Sequence, residues 1–305
     1  MLRTRIAPAL VVLASLPVSL HAHRQWMLPS STVLSGTDGW ITVDAAVSNE
    51  LFYFDHVPLR MGNLVITGPD GVPVKPENSA TGKYRTTFDV HLTQAGTYKI
   101  ASVNNMVFAT WKDKGETKTW RGTPEAFKME VPPNAEGLQT SRMSSRLEVF
   151  VTAGKPNTKA LETTGVGLEL AAITHPNDLV AGEAAQFQLL QDGKPAAGLE
   201  VTLIPGGIRY RNQLGEMKVK TDDAGKFSVT LKDPGMYWMN VTTGGGPRGP
   251  GGPGAGPGGP GAGPGGPGAR TGGPGGPGGP GGGGPMRFPT GNRSSYTATI
   301  EVLPQ

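Results

Sequence analysis

The sequence predicts an all-β protein built as two β-sandwich domains. Three observations point there. Short stretches alternate apolar and polar residues at the two-residue period of a strand. Clusters of Gly, Pro, Asn and Asp separate them where tight turns would fall. Helix-period patterns are nearly lacking. The 305 residues leave room for two such domains, and Cys 0 means that packing rather than disulfides must hold them.

Residues 1–22 read as an export signal. Arg3 and Arg5 give a basic start, Ile6 to Leu16 is mostly apolar, and Leu20-His21-Ala22 ends on a small residue. Cleavage after Ala22 would place His23 at the mature amino terminus, in the periplasm. The apolar run is too short to remain as a membrane span, no cysteine follows for lipid attachment, and no other stretch could cross a bilayer.

The first domain is assigned to residues 23–152. Gly39 to Val47 alternates, as does Asn63 to Thr67 before the turn Gly68-Pro69-Asp70-Gly71. In Lys83 to Leu92, Phe88, Val90 and Leu92 face one way and Asp89 and His91 the other. Gln94-Ala95-Gly96 turns into a strand over Thr97 to Val103. Trp111 to Gly137 is less regular and holds a short helix from Thr123, with Pro124 at its first position. Arg146 to Thr152 is a further strand. Residues 153–165, with Gly154-Lys155-Pro156-Asn157, read as a linker.

The second domain, residues 166–305, is cleaner. Strands are expected over Leu168 to Ile173, Ala185 to Leu190, Leu199 to Ile204, Lys218 to Thr221, Phe227 to Leu231, Met236 to Val241 and Ser295 to Leu303. Residues 244–285 form a Gly/Pro-rich insertion that takes more than half of the 47 glycines. Its glycine frame breaks at Ala255, Ala262 and Arg270-Thr271, which excludes a collagen helix. Such a composition buries no apolar area, so a disordered hairpin loop is expected.

Charge narrows the function. Lys+Arg 28 stand against Asp+Glu 24, and two of the arginines belong to the signal. So near-neutral a chain has no basic field for nucleic acid. The motifs of serine hydrolases, P-loop nucleotide binders and zinc proteases do not occur. Without cysteine, any metal must be held by histidine, carboxylate, methionine or the terminal amine. Histidine is scarce. A terminal His23 combines an amine and an imidazole, neutral nitrogen donors that suit nickel, cobalt or copper. His56 follows the aromatic run Phe52-Tyr53-Phe54, and Asp55 beside it is either a ligand or a group that fixes its ring. His91 shares the polar face of its strand with Asp89 and is a reserve ligand. Each has a plain alternative: an incidental terminus for His23, a packed structural ring for His56, a solvated face for His91. His175 reads as a loop residue.

Two resemblances add to this. "DGKP-AAG-LEVTL", "TDDAGKFSVTL" and "PG-MYWMNV" make Leu168 to Val241 similar to the transthyretin-like and carboxypeptidase-regulatory-like β-sandwich modules, which implies a fold and no chemistry. "AHRQWMLPSS", "GWITVDAAVSNELFYFDHVPLR" and "THPNDLVAGE" resemble an exported bacterial family of unknown function. Its members are often described as the periplasmic component of a cobalt or nickel ABC-type transport system. That resemblance implies a two-domain β protein handling a divalent metal outside the cytoplasm, with membrane transport or reductase components as partners; the leading expectation is a non-enzymatic metal-binding protein. His23, His56, Asp55 and His91 are the candidate metal residues. Two other classes stay open: a structural or adhesive sandwich without metal, and a copper oxidase using an amino-terminal histidine brace. Against the last stands the lack of an axial aromatic residue at a readable spacing.

Overall fold

A computed structural model describes residues 23–244 and 291–305. The export signal expected over residues 1–22 and nearly all of the Gly/Pro-rich insertion, with the disorder expected of it, lie outside the described residues. The first half runs β1 (Arg24–Pro29), β2 (Val33–Leu34), β3 (Gly39–Ser48), β4 (Val57–Pro58), β5 (Leu64–Thr67), β6 (Pro73–Val74), β7 (Glu77–Thr81), β8 (Thr86–Leu92), β9 (Gly96–Asp113), β10 (Glu116–Gly122), α1 (Pro124–Glu130) and β11 (Glu136–Ala153). The second half holds β12 (Leu168–Ala172), β13 (Ala184–Gln191), β14 (Lys194–Pro195), β15 (Glu200–Pro205), β16 (Met217–Lys220), β17 (Lys226–Thr230), β18 (Gly235–Thr243) and β19 (Arg293–Val302). The all-β class stands.

Local chemistry explains the junctions. Asp192 and Gly193, both at positive φ, make the two-residue turn that pairs Gln191 with Lys194. Lys114 and Gly115 do the same between β9 and β10, so a hairpin stands where the charged composition showed no strand. The Thr123 side chain accepts from the Ala126 amide and caps α1, with Pro124 at the first turn. β9 and β11 run past the strands expected from Thr97–Val103 and Arg146–Thr152. Their outer parts are held by each other and by β10, and are largely exposed, with Val107 and Ala109 of β9 and Ser141 of β11 buried.

Among the described residues, three sheets result. One has the order β1-β3-β8-β7, with β4 beside β3. The largest runs β16-β15-β18-β19-β11-β9-β5-β6 and so contains strands from both halves of the chain. Its seam is the parallel pairing of β11 with β19, from Met143↔Arg293 to Val149↔Thr299. The third is built on β13, flanked by β12, β14 and β17.

Each half keeps its own core. Met27, Val43, Phe88, Tyr98, Ile100 and Val149 lie in the first; Phe187, Leu189, Leu203, Met239, Tyr296 and Ile300 lie in the second. A smaller cluster, Trp26, Ala46, Leu51, Ile204 and Trp238, draws on both halves. It fixes the start of β1 and the loop after β3 against β15 and β18.

Candidate functional site

The start of β1 and the loop 49–56 meet at one end of the β1–β3 pair. Arg24 lies opposite Ser48, which sets His23 beside the beginning of that loop. The loop closes on itself through Asp55, whose two carboxylate oxygens accept from the amides of Asn49 at 2.9 Å and Glu50 at 3.2 Å. Phe52 turns at φ 65, and its ring rests against Gly206, where a side chain would come within 3.1 Å of it. The loop thereby delivers His56 onto His23. Their rings stack with centroids 3.8 Å apart and planes 4° from parallel.

The surroundings are aromatic and cationic. Trp26 packs edge-on to Phe52 at 5.5 Å and donates its indole N–H to Ser48 Oγ. Arg24 donates to the Asn49 carbonyl and stands 5.8 Å from the centre of the Trp238 ring; burial pushes its guanidinium below the usual range. From the far half, Arg209 pairs with Glu50 at 2.8 Å and lies over the Tyr53 ring at 4.0 Å. Tyr210 meets Tyr53 edge-on, and the hydrogen bond between the two phenols holds Tyr53 above its ordinary range. The loop carrying His56 is thus braced from both halves.

His91 is placed elsewhere. It lies opposite Trp40, eight residues along β3 from Ser48, and at about 3.4 Å per residue the two ends stand roughly 27 Å apart. Its ring stacks on Trp40 at 4.2 Å and its Nε2 meets Asp38 Oδ1 at 2.6 Å. The structure therefore brings His23, His56 and Asp55 together and leaves His91 out. Asp55 is a fastening for the loop, since both of its oxygens are taken by backbone amides. Among the described residues, no three His, Asp or Glu side chains converge as a set that could hold a metal ion.

Two buried polar clusters carry no signal in the sequence beyond strand alternation. Arg146 bridges Glu148 at 3.2 Å and Glu169 at 3.1 Å, all nearly fully buried. Tyr296 donates to Glu148, and the amides of Thr164 and Gly165 donate to Glu169. Arg146 and Glu148 look like the wet face of a strand, but the linker and β12 cover them. The second cluster surrounds His175, half-buried among Thr97, Asn157 and Asn177. Burial lowers its ring from the ordinary 6.5.

A family described as "Domain of unknown function (DUF4198)" matches residues 20–245. No curated protein matches the chain. Among solved structures, the chain is similar to the D0-D1 domain of Intimin, with 15% identity over 70% of this chain and 88% of that one and a TM-score of 0.21. It is also similar to the human OSCAR ligand-binding domain, with 12% identity over 75% and 93% and a TM-score of 0.19. Among the described residues, no helix is long and apolar enough to cross a membrane.

Proposed function

The chain belongs to the DUF4198 family, and we propose that it is an exported, non-catalytic protein that takes up a divalent transition metal through His23 and His56. The observation that carries the reading is the contact of these two rings, 3.8 Å between centroids, from segments more than thirty positions apart in the sequence. Unprotonated imidazole nitrogens suit nickel, cobalt and copper. Cleavage after Ala22 would add the His23 amine to the donor set. Asp55 would hold the loop that presents His56. Membrane transport or reductase components would receive the metal.

The fit has a stated condition. A metal lies in the plane of an imidazole that binds it, and parallel planes do not meet at one ion. One ring must therefore turn. His23 is exposed and sits ahead of the first strand residue, so rotation about its side-chain bonds costs little packing. His56 is held by the closed loop and would stay.

The test is calorimetric titration of Cu²⁺, Ni²⁺ and Co²⁺ into three proteins: one beginning at His23, one carrying an extra residue before it, and His56→Ala. Both changes should weaken binding, the extension because the amine becomes an amide. Unchanged affinity in both would place the site elsewhere and favour the sandwich module without metal.

A further inference from the structure

The segment Thr174-His175-Pro176-Asn177-Asp178 is not used by the metal reading. It lies where the chain enters the second half, against the ends of β9 and β11 and the linker. Its hydrogen bonds form a closed circuit with one direction. Thr152 Oγ1 donates to Asn177 Oδ1 at 2.9 Å. A hydroxyl has one proton, so Thr152 must accept from Thr97 across their 3.0 Å contact. Thr97 has then spent its own proton and accepts from His175 Nε2 at 2.9 Å. The same Nε2–H faces the Asn157 carbonyl at 3.2 Å. On the other side of the ring, the Asn177 amide donates to Nδ1 at 3.2 Å. The Asn177 side-chain amide closes the set by donating to the Phe150 carbonyl at 3.0 Å.

This circuit accepts one state of the ring: neutral, with its proton on Nε2. A second proton on Nδ1 would point at the Asn177 N–H, donor against donor, in a site where Thr97 and Thr152 are wholly buried. The groups that face the ring from β9 and the linker, Thr97 and Asn157, are uncharged. Burial disfavours the protonated ring and outweighs the two groups that favour it, the Asn157 carbonyl and, on its own turn, Asp178.

The geometry points to an acid-released latch: protonation of His175 frees the 174–178 turn and the linker at Asn157 from β9 and β11. The latch reaches far. Asn157 also accepts from the Thr97 amide at 3.1 Å and donates to the Pro69 carbonyl at 2.8 Å, so four segments depend on one ring. Release would leave the β11–β19 seam and both cores in place, because neither uses these groups. The opening is local, at the corner where the two halves of the chain join. It is independent of His23 and His56.

Backbone hydrogen exchange of the full chain between pH 7 and pH 5, corrected for the intrinsic rate, tests it. Protection of the Asn177 and Thr97 amides should fall by roughly tenfold per pH unit below the ordinary histidine range, the slope for one proton taken up on opening. Amides of β18 and β19 should keep their protection. In His175→Gln, whose side-chain amide retains a donor toward Asn157, the loss should vanish. An equal pH profile in wild type and His175→Gln overturns the latch, as does flat protection in wild type. Should His175→Gln fail to fold, an NMR titration of the wild-type imidazole decides. A midpoint below the ordinary range, moving together with the Asn177 amide, supports the latch; a midpoint at or above that range overturns it.

Discussion

Trp238 donates its indole N–H to the carbonyl oxygen of Gln25, 2.9 Å away. The bond ties β18, a strand of the second core, to β1, which carries His23 at its head. Arg24 stands over the same indole, and Trp26 shares the junction cluster with it. The geometry of the candidate site is therefore set partly by a residue more than two hundred positions downstream.

A first prediction follows from that bond. Trp238→Phe keeps much of the buried ring and removes the donor, leaving the Gln25 carbonyl to find water. The expected loss is about 1 kcal/mol, the net worth of one hydrogen bond. Trp238→Ala should cost about 3–5 kcal/mol, because a cavity replaces an indole that is only 8% exposed. Urea unfolding measures both. Equal losses would mean that the hydrogen bond, and not the ring, holds the junction.

Strands with one wet face were legible before any coordinates. Phe88, Val90 and Leu92 point into the first core while Asp89 and His91 point out, as their alternation implied. β1 was not legible. Trp26 and Met27 are adjacent and both fully buried, one in the junction cluster and one in the first core. A strand covered on both faces shows no alternation. Arg146 and Glu148 differ in the opposite sense: they alternate with Leu147 and Val149 as a wet face would, but a later segment covers them. Chemistry singled out His23 and His56 from the sequence. Their contact depends on the turn at Phe52 and the Asp55 fastening, which no periodicity encodes.

The Arg146 cluster gives the largest expected effect. Arg146→Met strands Glu148 and Glu169 in the interior beside Tyr296. Removing one partner of a buried ionic set costs about 3–5 kcal/mol. Tyr296→Phe should cost about 1–3 kcal/mol, since Glu148 keeps its bond from Arg146. Denaturant midpoints at pH 7 separate the two. A loss for Arg146→Met no greater than for Tyr296→Phe would show that water or rearrangement already satisfies the carboxylates.

The base of the insertion gives a paired test. Thr243 lies opposite Ser294, and Gly244 continues at φ 72, with its missing Cβ only 2.0 Å from the Asn292 carbonyl oxygen. Gly244→Ala should destabilise by more than about 1 kcal/mol, through both the backbone angle and the clash. Deleting residues 246–284 should shift the melting temperature by no more than ~4 °C, because closing a flexible loop depends weakly on its length. A larger fall on deletion would show that the insertion packs against the body.

The acid limb of stability should belong to His175. Its folded value is lowered from 6.5, so the unfolded chain binds the proton first as pH falls. Stability from this group is fully present above 6.5 and declines below it, until the folded value is reached. The carboxylates act lower: hydrogen bonds hold Asp70 and Asp89 below 3.8, so their contribution is kept above that value and lost as pH falls through their folded values. Asp44 is raised by burial and works in the opposite sense, its folded form gaining relative stability as pH falls toward 3.8. Unfolding free energy measured by urea at intervals from pH 7.5 to 5 should therefore fall with acid in wild type and stay flat in His175→Gln. A parallel decline in both proteins would remove His175 from the account.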